Sequence, residues 1–162
     1  MQEVVSIKQE NGTSSMQKVV GSMQRAAISS NNDKSRESAI KHFTDLHAWQ
    51  EAHRLAIMVY TVTRTFPREE LFGIVNQMRR AAVSITSNIA EGFCRGSVRE
   101  KIQFYSTALG SLSELQSQSF LSRDVEFLEP ERFAPLETQS ILVSKLINGL
   151  IKSLRASISP AA

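Results

Sequence analysis

The stretch LFGIVNQMRRAAVSITSNIAEGF, residues Leu71–Phe93, carries two stripes at once. Leu71, Ile74, Met78, Ala82, Ile85 and Ile89 recur at three- and four-residue steps, which puts them on one face of an α-helix. Gln77, Arg80, Ser84, Asn88 and Glu91 recur at the same steps and form a second, polar face. Glu69 and Glu70 suit the positive end of a helix dipole and mark its start, and Gly92 reads as its C-terminal cap. Such a helix must bury its apolar face against a neighbouring layer.

The flanking segments supply that layer as more helices. Upstream, Leu46, Trp49, Ala52, Ala56, Val59, Tyr60, Thr63 and Phe66 follow helical spacing, with Thr44 or Asp45 as cap. Phe66-Pro67 ends that helix, because a residue before proline disfavours the α region. Downstream, Ser97-Val98-Arg99-Glu100 fits a capping box and opens a helix through Ile102, Tyr105, Leu109, Leu112, Leu115 and Phe120 to about Arg123. Phe127 and Leu128 lie in a short connection and should tuck onto the bundle end. Pro130 suits a first helical turn, and Phe133, Leu136, Ile141, Val143, Ile147, Leu150, Ile151 and Leu154 complete a fourth helix. His47 and Glu51 read as an exposed pair one turn apart, and His53 as a core-edge side chain.

Four helices of similar length with short connections predict an all-α fold, an antiparallel up-down-up-down four-helix bundle over residues 42–157. Residues 1–41, rich in Ser, Asn, Gln and Lys, predict a disordered N-terminal tail, and residues 158–162 a frayed C-terminus. Seven glycines and four prolines are too few for a turn-rich β fold. The single cysteine, Cys94, excludes an internal disulfide and fits a reducing compartment. No apolar run reaches the about 20 residues that cross a bilayer, so a cytoplasmic protein with no membrane partner is expected. Residues 42–162 hold 13 Lys/Arg against 12 Asp/Glu. Any nucleic-acid surface must therefore come from local clustering, for which Arg95, Arg99 and Lys101 are the candidates.

The polar stripe Gln77, Arg80, Ser84, Asn88 and Glu91 faces a second stripe of small and polar residues on the third helix, Gln103, Thr107, Gly110, Glu114 and Ser117. Ser, Gly and Asn are poor helix formers. Their concentration here predicts a seam in which Arg79 or Arg80 pairs with Glu114 or Glu91 and fixes helix register or a subunit contact. Gly110 leaves room for a neighbouring helix to come close.

The run Phe66-Pro67-x-Glu69-Glu70-Leu71-x-Gly73, continued by Gln77-x-Arg79-Arg80-Ala81-Ala82-Val83-Ser84-Ile85 and Asn88-Ile89-Ala90-Glu91-Gly92-Phe93, resembles the four-helix-bundle family associated with intervening sequences of bacterial 23S ribosomal RNA. Leu46-x-x-Trp49-x-x-Ala52, Ala108-Leu109-Gly110-Ser111-Leu112-x-Glu114-Leu115 and Asn148-Gly149-Leu150-Ile151 fit the same pattern. Thr86 stands where that family often has proline, and Cys94 where it often has glycine. The resemblance implies a left-handed bundle, assembled as a homopentamer, without established catalytic activity. A more distant likeness, to the accessory subunit of diversity-generating retroelement reverse transcriptases, implies RNA or DNA and a reverse transcriptase as partners.

Enzymatic chemistry finds no residues to carry it. A di-iron bundle needs paired Glu-x-x-His motifs, and no Glu here has His at that spacing. Cys94 has no histidine near it in sequence and is a poor nucleophile. No Gly-rich phosphate loop is present. The expectation is no catalytic residue, no metal and no cofactor.

Overall fold

The structure, a computed structural model, describes residues 40–158. Residues 1–39 of the expected tail, and Ser159 onward of the expected frayed end, lie outside the described residues. Four α-helices follow: α1 (His47–Val62), α2 (Ile74–Cys94), α3 (Val98–Asp124) and α4 (Pro130–Ile158). Short 3-10 turns, Phe43–Asp45 and Arg68–Leu71, precede α1 and α2. No strand occurs among the described residues.

Each helix packs on its chain neighbours, and α4 closes the circle against α1. Contacts between partners run in opposite senses. Gly92 meets Tyr105, Ser84 bonds Ser111, and Met78 meets Ser122 along α2 and α3. Gln139 bonds Glu51 while the earlier Arg132 bonds the later Thr65 along α4 and α1. The five residues between α3 and α4 bring Phe120 within 5.1 Å of Phe133. The bundle is therefore antiparallel, up-down-up-down.

Leu55, Val59, Met78, Ile85, Ile89, Leu112, Leu115, Leu136, Val143 and Ile147 fill the centre and are fully buried or nearly so. Burying one such side chain stabilises by about 1.5–3 kcal/mol, so this centre dominates the fold. Three serines also lie inside, and each hydroxyl is satisfied one turn back: Ser119 to Leu115 O (2.8 Å), Ser122 to Gln118 O (2.7 Å) and Ser140 to Leu136 O (2.8 Å). Leu128 is buried and Phe127 packs on Phe66, closing one end as expected.

Several expected stripe positions instead face water: Tyr60, Leu71, Phe120 and Ile141. Tyr60, Phe120 and Ile141 each lie beside a buried position, Val59, Ser119 and Ser140, that faces the centre more squarely, whereas Leu71 ends the 3-10 turn ahead of α2. The helix ends differ too. Ser97 is the N-cap of α3, but its side chain makes no capping bond. Leu46, not Thr44 or Asp45, is the N-cap of α1, while Asp45 accepts from the backbone N–H groups of Lys41 and His42. The α2 helix begins at Ile74 rather than at Glu69-Glu70, with Glu70 Oε2 accepting from the Ile74 N–H at 3.2 Å. Gly92 is not a cap; it lies buried inside α2, which runs on to Cys94.

Candidate interaction site

The sequence seam divides into three parts. Gln77, Arg80, Ala81 and Ser84 of α2 line a groove with Glu114 of α3. Ser84 Oγ bonds Ser111 Oγ at 2.8 Å, and Asn88 Nδ2 folds back to Ser84 O at 2.8 Å. Arg79 turns the other way: its Nε donates to Thr63 Oγ1 at 2.9 Å, and its guanidinium lies 5.0 Å from the Tyr60 ring centre. That bond ties α1 to α2, because Thr63 is itself buried.

The expected pairing of Arg79 or Arg80 with Glu114 or Glu91 does not form within the chain. Glu91 pairs with Arg95 one turn on, and Glu114 accepts from Gln118 Nε2 at 3.1 Å. One-turn neighbours on the same helix win over partners across the groove because their side chains already point together. The space over Gly110 is open, so no helix of the same chain uses it.

Beside the seam lies a groove of about 500 Å³ lined by Tyr60, Leu71, Val75, Asn76, Arg79, Arg80, Val83 and Ser84. Its rim is apolar and wet. Leu71 is 50% exposed, Phe72 87%, and Ile57, Tyr60 and Val83 are exposed as well. Sequence spacing misses this patch, since Tyr60 and Leu71 read as core. The available signal was the excess of large apolar residues over the positions one face can bury.

The second candidate, the cluster Arg95, Arg99 and Lys101, is mostly engaged at home. Arg95 pairs with Glu91 and lies over the Phe104 ring at 4.7 Å. Lys101 Nζ donates to Phe93 O (2.6 Å) and Gly92 O (3.4 Å) and sits 5.6 Å from the Phe93 ring centre. A cation there neutralises the negative end of the α2 dipole. Arg99 alone stays exposed without a partner among the described residues.

Glu51 corrects a further expectation. Its side chain is 4% exposed, so the His47–Glu51 pair is not a surface pair. One carboxylate oxygen accepts from Gln139 Nε2 of α4 (2.8 Å); the other meets His47 Nε2 (3.1 Å) and accepts from Arg54 (2.7 Å). The Gln139 hydrogen bond, foremost, holds the carboxyl below its ordinary range, with Arg54 and His47 adding to it. His53 is exposed and stacks on Trp49 with 5.0 Å between ring centres. Cys94 is exposed, and the nearby Tyr105 hydroxyl is pushed up first by burial and then by its electrostatic interaction with Cys94.

The family model for the 23S rRNA-intervening sequence protein matches residues 44–149, which takes in α1, α2, α3 and most of α4. The chain belongs to that family. A crystal structure of a protein of unknown function from the S23 ribosomal protein family of Bacteroides thetaiotaomicron shares the fold, with TM-score 0.61 and 22% identity, covering 65% of this chain and 95% of that one. Comparison with curated proteins finds no match. Within the matched residues, the Gln77–Ala82 segment of α2 presents Gln77, Arg79 and Arg80 to the two grooves and buries Ala81 and Ala82. No described helix is long and apolar enough to cross a membrane.

Proposed function

We propose that this chain is a non-enzymatic bundle that assembles with further copies of itself, as a homopentameric ring, and associates with nucleic acid. The observation that carries the reading is the exposed apolar lining of Tyr60, Leu71 and Val83, with Phe72 exposed next to Leu71, beside the groove of Arg80 and Glu114. Exposed apolar patches rimmed by polar groups mark interaction sites, and a second copy brings both an apolar surface and complementary charges. The open space over Gly110 supports the same reading. Ring assembly would multiply every exposed cation five-fold, which favours a phosphate backbone over a small ligand.

Light scattering of the full chain tests the assembly, with a mass near five subunits expected. A folded monomer at micromolar concentration overturns it. Retention of a structured RNA at low salt and its loss at higher salt are expected of the nucleic-acid role. No retention at either salt by a folded oligomer dismisses that role.

A further inference from the structure

The charge of the bundle is polarised along α4. From Thr138 to Ile158 the helix contains no acidic residue, whereas Glu131 and Glu137 stand in its first turns. Lys145, Asn148, Lys152 and Arg155 are spaced 3, 4 and 3 and share one face. All four are exposed. None of the three cations takes part in an ion pair or a side-chain hydrogen bond among the described residues, unlike Arg95 and Lys101. Asn148 Nδ2 donates to Ser144 O at 2.9 Å, which orients the amide on this face.

The antiparallel register set by Phe120 against Phe133 carries the stripe onto α3. Following that register, Arg155 comes level with Arg99, the one unengaged cation of the expected cluster. Lys145 comes level with the small, polar part of α3 around Ser106 and Ser113, both exposed. Glu100 and Glu114 of α3 lie toward its other side; Glu114 lines the α2–α3 groove.

We infer that Lys145, Lys152 and Arg155 of α4, with Arg99 of α3, form a binding track for the phosphate backbone of nucleic acid. The inference rests on the nucleic-acid part of the proposed function and locates it on a surface of which the sequence reading marks only Arg99; Lys152 and Arg155 lie beyond the family match. From Lys145 to Arg155 the helix rises about 15 Å. That length spans roughly four to five phosphates of one strand at about 3.4 Å each. The face offers hydroxyls and an amide between its cations, and these hydrogen-bond phosphate and sugar. It carries no large apolar side chain between Lys145 and Arg155 with which to enter a lipid layer.

The test compares the full-length protein with a Lys145→Gln/Lys152→Gln/Arg155→Gln variant. Binding of a hairpin RNA and of a duplex DNA is titrated at several salt concentrations, with circular dichroism and light scattering as checks on fold and assembly. The substituted positions are exposed and glutamine is a good helix former, so fold and mass are expected to persist. The variant is expected to bind about ten-fold or more weakly, with the slope of log K against log salt reduced by about 2–3 for three lost contacts. Arg99→Gln alone is expected to lower that slope by about 1, and Arg64→Gln/Arg68→Gln, at the opposite end, to leave it unchanged. A triple variant that binds like the parent overturns the track and leaves the nucleic-acid role standing. A parent that binds neither probe overturns both. Retention by phosphatidylserine vesicles that the triple variant loses, with no change toward RNA or DNA, overturns the track in favour of a lipid surface.

Discussion

A Cβ built on Gly92 would stand 2.6 Å from Cε1 of Tyr105 and 2.9 Å from Cδ1. The α2 backbone thus lies directly against the edge of a buried ring of α3. The glycine is there for this close approach, not for a turn.

Gly92→Ala sets two effects against each other. Alanine gains about 1 kcal/mol of helix propensity over glycine. Overpacking against this buried ring costs about 1–3 kcal/mol. The expected result is a net loss of about 0.5–2 kcal/mol in urea unfolding. Adding Tyr105→Leu, which removes the clashing ring edge, should make Gly92→Ala less costly than in the parent background.

Glu51 sets a pH dependence. Its folded carboxyl titrates below the ordinary 4.5. Its contribution is therefore present above that value and lost as the pH falls through the folded value. Thermal melts from pH 7 down to pH 3 should show a decline that Glu51→Gln flattens. At pH 7, Glu51→Ala should cost about 0.5–1.5 kcal/mol, since it removes one of the two acceptors of the Gln139 amide and leaves only the 3.0 Å bond to the backbone carbonyl of residue 51.

Pro135 lies in the second turn of α4 and is exposed. Its missing N–H leaves the Glu131 carbonyl without its helical partner. Pro135→Ala restores that bond and is expected to stabilise the protein by about 1–3 kcal/mol in urea unfolding, with no change in oligomer mass.

Phe72 separates assembly from folding. At 87% exposure its ring contributes little to the protomer. Phe72→Ser should shift unfolding of the protomer by less than about 0.5 kcal/mol. If the ring is covered between copies, the same change removes about 1.5–3 kcal/mol per contact. The mass seen by light scattering at a fixed low concentration should then fall. An unchanged mass would exclude Phe72 from the interface.

The sequence made the four helices and their order legible, because a three-and-four spacing of Leu, Ile and Met has few other solutions. It did not show which flank of each stripe points inward. Tyr60 and Ile141 sit one position from Val59 and Ser140, and a serine with its hydroxyl bonded one turn back fills a core as well as a small apolar residue. Gly92 reads as a cap from sequence because a turn and a close approach select the same residue, and only the packed ring of Tyr105 distinguishes them. Of the candidate site, the face of Gln77, Arg80 and Ser84 was legible from spacing. The partners of Arg79 were not, since Thr63 becomes its neighbour only when α1 and α2 pack. The acid-free half of α4 was readable, but near-neutral bulk charge concealed it.

Only Arg95, Gly96 and Ser97 separate α2 from α3, and Lys101 fastens the second turn of α3 to the last carbonyls of α2. Little chain has to be gathered for these two helices to find each other, and closing a short loop costs the least entropy. The α2–α3 hairpin is thus expected to form ahead of the docking of α1 and α4, and to be the last part to give up its amide protons to exchange. A nascent chain would reach that stage before Pro135 had been made.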